Sequence, residues 1–170
     1  MAGPMTIMVL LGVLLATTCL GLVWRRQNGR MREVAGTRGG DHADGAHHIE
    51  GSGRADGADG VLDPDLLASL GVTPAIAPVT LVQFSSAFCQ PCRATRRVLD
   101  QVTEMLPEVH HVEVDAESHL DAVRALGVLR TPTVLVLDRR GRLVRRASGQ
   151  PRKADVIAAV APLLTDGERG

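Results

Sequence analysis

The chain has 170 residues, enough for one sizeable domain, and its 19 basic side chains balance 19 acidic ones. A formal net charge of zero gives no global electrostatic case for a nucleic-acid partner. Three cysteines, Cys19, Cys89 and Cys92, are too few for a disulfide-stapled secreted fold or a four-thiolate zinc site, so they resolve into one close pair and one outlier.

Residues 5–24, MTIMVLLGVLLATTCLGLVW, carry no charge. As a helix, about 20 residues rise roughly 30 Å, the thickness of a bilayer's hydrocarbon core. Trp24 closes the run where an interfacial aromatic belongs, and Arg25, Arg26, Arg30 and Arg32 follow. No Lys or Arg precedes the run, unlike a cleaved signal peptide, and Ala16-Thr17-Thr18 before Cys19 matches a lipoprotein signal poorly. Residues 1–24 are therefore expected to be a single-pass anchor in a cell membrane. The positive-inside rule puts the C-terminal part in the cytoplasm, with an extracytoplasmic domain as the alternative. Cys19 reads as a small hydrophobe within that helix.

Residues 25–60 read as a flexible, Gly- and Asp-rich linker in which Ala-Asp-Gly occurs three times. Nothing in it repeats with helical or strand period. A chain of that length spans on the order of 30 Å, which would let a domain roam. His42, His47 and His48 lie in this tract without ligand-like order.

Residues 61–170 hold the predicted domain. Asp63 with Pro64 looks like a cap and first turn, and residues 61–78 are expected to pack on a sheet edge. Strands are predicted over 79–86, 109–115, 133–138 and 142–147. A helix over 90–106 places Ala94, Val98, Val102, Met105 and Leu106 on one face. A second helix runs over 117–126, and a third opens at Pro151 with Ile157, Val160, Ala161 and Leu164 inward. The order βαβαββα implies an α/β fold: a central four-stranded mixed sheet flanked by helices, with a parallel core and an antiparallel closing hairpin.

Cys89 and Cys92 stand at the first strand-to-helix junction, in SSAFCQPCR. A helix N-terminus stabilises a thiolate through its unpaired amides and its partial positive charge, and Arg93 adds to this. Cys89, nearer the tip, is the candidate nucleophile, and Cys92 one turn on is the candidate resolving thiol. Pro91 falls in the first turn, where a missing N–H costs nothing. Two thiolates also suit Cu(I) or zinc. No second cysteine pair completes a zinc site, and His110, His111 and His119 lie at no ligand-like spacing to the first. A binding adaptor without turnover would need no reactive pair. Thiol–disulfide exchange is the reading, with protein disulfides as substrates, an upstream dithiol as electron donor, and no metal or other cofactor.

Strand, Cys-x-x-Cys, helix and βαβ continuation, together with LVQFSSAFCQPCRATRRVL, VEVDAE and LGVLRTPTVLVLDRRGRLVRRASG, resemble the thioredoxin family over about residues 79–166. The resemblance implies a thioredoxin-like fold and a cis peptide bond before Pro132, preceded by Thr131. It also implies a groove there, lined by Gly149, that receives an extended substrate peptide. Phe88 and Gln90 stand where the family usually has Trp and Gly, so the direction of exchange is open. Gln83 replaces an acid the family commonly buries, and His111 replaces its partner lysine. A histidine titrates near neutrality, so a proton relay by His111 through water held by Gln83 is the expectation there.

Overall fold

The computed structural model describes residues 4–27, 29–34 and 60–166. Its elements are α1 (Pro4–Gln27), β1 (Arg32–Glu33), α2 (Pro64–Ser69), a 3-10 turn (Pro74–Ile76), β2 (Val79–Ser85) and α3 (Gln90–Met105). They continue with β3 (Val109–Asp115), α4 (Leu120–Ala125), β4 (Thr133–Asp138), β5 (Leu143–Ser148) and α5 (Lys153–Asp166). From β2 onward the order is the expected βαβαββα. The second helix starts three residues later than its pattern suggests. Asp115 holds the preceding residues in a turn instead, accepting from the Glu117 N–H at 3.1 Å and from the Ser118 hydroxyl.

The strands form one sheet in the order β1-β5-β4-β2-β3. Only β2 and β3 are parallel, joined through α3, while β4 pairs antiparallel with β2 and β5 antiparallel with β4. The expected four strands gain a fifth at the edge, because β1 pairs antiparallel with β5. β1 lies inside the stretch read as linker. The Gly29 N–H donates to the Ser148 carbonyl at 3.0 Å and the Val34 N–H to the Val144 carbonyl at 3.2 Å. Gly29 has φ +82°, and a Cβ there would sit 1.9 Å from the Gln150 carbonyl oxygen, so the contact requires glycine. Residues 35–59, with His42, His47 and His48, lie outside the described residues. The chain returns at Gly60, whose carbonyl accepts from the Leu143 N–H of β5 at 3.1 Å.

Alternation along the strands divides the core into two layers. On one face Val79, Leu81, Val134 and Val136 pack with Leu99 and Val102 of α3 and Val156 and Val160 of α5. Within α5 the buried side chains are Val156, Ala159 and Val160, whereas Ala161, expected inward, is exposed. On the other face Val82, Phe84, Leu135 and Leu137 meet Ala122, Leu126 and Val128 around α4, and Leu62, Leu67, Leu70 and Val72 around α2. The segment 61–78 thus meets the sheet edge at its start, where Val61 bridges to Arg142, and then covers a sheet face. Asp63 caps α2 as read, its Oδ1 accepting from the Asp65 N–H at 2.9 Å.

The membrane-spanning helix expected over 5–24 is not carried by the structure. Among the described residues no helix is long and apolar enough to cross a membrane.

Candidate functional site

β2 carries the chain out of the core at Ser85, and four residues later Cys89 caps α3. Its backbone is extended (φ −86°, ψ 98°) and its Sγ accepts from the Cys92 N–H at 3.1 Å. Cys89 and Cys92 are joined by a disulfide with their Cα atoms 5.2 Å apart. Cys92 is 2% exposed and belongs to the core, whereas Cys89 is partly open to solvent. A thiolate or disulfide arriving from outside therefore meets Cys89 first, at the electropositive end of a sixteen-residue helix. Gln90 and Pro91 are exposed beside it, and the Phe88 ring stands 97% exposed.

The Thr131–Pro132 bond is cis. Ser86, three residues before Cys89, shares a hydrogen bond with Thr131, Oγ to Oγ1 at 3.2 Å, which ties the two loops together. Pro132 is buried, and its carbonyl accepts from the Gly149 N–H at 2.7 Å. Gly149 has φ +97°, a conformation that keeps β-carbon bulk out of this corner. Leu129, not singled out from the sequence, is 89% exposed just ahead of Arg130 and Thr131. With Phe88 it gives the site two large apolar side chains held in water. An apolar residue in a loop directly before Arg-Thr-Pro was the available signal.

Gln83 lies fully buried under the pair. Its Nε2 donates to the Cys92 carbonyl at 3.1 Å, to Ser85 Oγ at 2.7 Å and to Glu113 Oε1 at 3.3 Å. Ser85 Oγ in turn donates to Glu113 Oε1 at 2.6 Å, and Arg96 forms an ion pair with the other carboxylate oxygen. Cys89, Cys92, Ser85, Arg93, Arg96, Glu113 and Asp115 line a cleft of about 380 Å³. The titratable group that Gln83 touches is therefore Glu113. Its place follows from the parallel register that sets Gln83 opposite Glu113, which a single strand's sequence does not display.

His111 pairs with Leu81, one inward position further along. Its Nδ1 faces Asp100 Oδ1 at 3.1 Å, and its Nε2 is buried without a partner. With Nδ1–H donating to the carboxylate, Nε2 is the bare nitrogen, and protonating it would bury an unpaired N–H. Burial accordingly holds the imidazole below its ordinary 6.5, although Asp100 pulls the other way. No direct hydrogen bond joins Gln83 to His111 among the described residues. Nor do three or more His, Cys, Asp or Glu side chains gather as a metal-ligand group among the described residues.

The family model described as Thioredoxin matches residues 75–162, just over half of the chain. A stretch of 78 residues is 33% identical to NADPH-dependent thioredoxin reductase 3 of Arabidopsis thaliana, covering 45% of this chain and 15% of that protein. A thioredoxin of Mycoplasma genitalium is 27% identical over 77 residues, covering 45% of this chain and 74% of its own length. Among solved structures, chloroplastic thioredoxin z superimposes with a TM-score of 0.51 at 26% identity, covering 58% of this chain and 89% of that one.

Proposed function

The chain belongs to the thioredoxin family, and from that premise we propose that it reduces protein disulfides through a Cys89–Cys92 dithiol–disulfide cycle. The observation that carries this reading is the pair itself: a partly exposed sulfur at a helix N-cap, bonded to a buried one, beside a cis-proline loop.

In the reduced chain the Cys89 thiolate attacks one sulfur of the substrate disulfide. That S–S bond breaks, a mixed disulfide forms, and one substrate thiolate leaves and takes a proton. The Cys92 thiolate then attacks Cys89 Sγ, the mixed disulfide breaks, and the second substrate thiol leaves. The substrate has gained two electrons and two protons, and the chain holds the Cys89–Cys92 disulfide. A dithiol donor restores it by the same exchange in reverse.

The substrate strand is received against the backbone at Thr131 and Pro132, with Gly149, Gln90 and Pro91 around it and Phe88 and Leu129 as apolar contacts. Proton transfer from Cys92 falls to Glu113, in the same cleft and bridged by Gln83 to the Cys92 carbonyl, rather than to His111, which is engaged with Asp100. The reductive direction belongs in a compartment whose thiols are kept reduced, such as the cytoplasm.

Turnover of a protein disulfide with dithiothreitol as donor tests the cycle. Cys89→Ser is expected to abolish it. Cys92→Ser is expected to accumulate a mixed disulfide with the substrate, visible by mass spectrometry. The equilibrium potential of the pair is expected near that of a reductant, about −270 mV. A value near about −120 mV marks an oxidant and overturns the reductive direction. A pH profile of turnover that moves in Glu113→Gln but not in His111→Asn separates the two proton-transfer assignments.

A further inference from the structure

Resting on the reductase reading, we propose that the β1–β5 edge holds an anion subsite that selects disulfide-bearing polypeptides with acidic residues close to the cysteine. Arg30, Arg32, Arg130, Arg146 and Ser148 line a cavity of about 230 Å³. Four arginines line it together and, among the described residues, no carboxylate does, in a chain whose net charge is zero.

The sheet register makes the imbalance specific. Arg32 stands directly opposite Arg146 across the β1–β5 ladder. Like charges facing each other on one rung destabilise a strand pair. The neighbouring rung shows that the same ladder accommodates complementary charge: Glu33 faces Arg145 and the two form an ion pair at 2.7 Å. None of Arg30, Arg32, Arg130 or Arg146 has a carboxylate partner among the described residues.

Two of the four are already held in place. Arg146 donates from Nη1 to the Leu126 carbonyl at 2.8 Å and from Nη2 to the Gly127 carbonyl at 2.6 Å. It is partly buried, and burial works against its charge, which an incoming anion would offset. Arg130 donates from Nη2 to the Ser148 carbonyl at 2.9 Å. Guanidinium groups fixed in this way meet a carboxylate with little further loss of side-chain freedom.

The cavity also borders the peptide groove. Ser148 immediately precedes Gly149, and Arg130 immediately precedes Thr131 of the cis-proline loop. A substrate strand laid against Thr131 and Pro132 would thus touch residues next in sequence to Arg130 and Ser148 of the cavity wall. Aspartate and glutamate of the substrate are the occupants that this position favours.

The test uses the full-length chain and two peptides with the same intramolecular disulfide, one flanked by three glutamates and the other by three glutamines. The reduced protein is expected to turn over the acidic peptide with a kcat/KM about fivefold higher at low salt. At about 0.5 M NaCl the preference is expected to fall toward one. In the double variant Arg30→Gln, Arg32→Gln the ratio is expected to drop toward one at low salt as well.

Equal rates on the two peptides in the unmodified chain overturn the proposal, as does a preference that survives in the double variant. Inorganic phosphate at constant ionic strength is the remaining arm. Thermal stabilisation by phosphate that the double variant loses, without any peptide preference, assigns the cavity to a small free anion and also overturns it. Binding of fluorescein-labelled versions of both peptides, with serine for cysteine, is followed by anisotropy. Absent turnover of either disulfide peptide with an acidic preference retained in binding removes the reductase reading and leaves the anion subsite standing.

Discussion

His111 shows how one residue's surroundings reverse what its type suggests. The sequence offers a histidine that titrates near neutrality. The structure gives it a carboxylate on one nitrogen and nothing on the other. Because burial lowers its pKa in the folded chain, the unfolded chain takes up a proton below about 6.5 that the native one refuses. Stability contributed by neutral His111 is therefore present above that value and declines as pH falls through the window beneath it. Urea midpoints between about pH 5 and about pH 7.5 are expected to fall more steeply with acid in the unmodified chain than in His111→Asn, whose amide can still donate to Asp100. Equal slopes would count against the buried bare nitrogen. Cys89 and Cys92 were legible from their local spacing, and the cis bond before Pro132 only through the family resemblance. Glu113 and Ser85 were not, because they reach Gln83 only through the pairing of β2 with β3.

At the scale of elements, periodicity carried β2 through α5. The order of those segments was legible, but not every buried face: β2 is buried along its whole length, Met105 of α3 and Ala161 of α5 are exposed, and Leu99 is buried. β1 had no such signal: two charged residues join the sheet by backbone pairing. The family match begins at residue 75, yet α2 and its flanks place Leu62, Leu67, Leu70 and Val72 in one core layer. If that layer is integral to the domain, Leu67→Ala should cost about 2–5 kcal/mol in urea denaturation with an unchanged m-value. A change within about 0.5 kcal/mol would mark α2 as an appendage.

At the scale of the whole molecule, α1 stands apart from the core. Ten of its large apolar side chains between Met8 and Val23 are exposed. A helix apolar on every described side does not remain alone in water, and it needs detergent, lipid or another copy around it. Size-exclusion chromatography without detergent is expected to show the full chain well above monomer mass, and a chain beginning at residue 28 as a monomer. A monomeric full chain would mean that α1 finds cover within its own molecule.

The docking of Gly29 changes what the Gly- and Asp-rich stretch can do. A leash of 36 residues would have let the redox domain search a wide radius around α1. Instead Val34 and Gly60, at either end of residues 35–59, both hydrogen-bond to β5, so that stretch leaves and rejoins the same strand. A single residue separates the end of α1 from Gly29, whose N–H is fastened to the residue before Gly149. Whatever holds α1 in place therefore also holds the end of β5, next to Gly149.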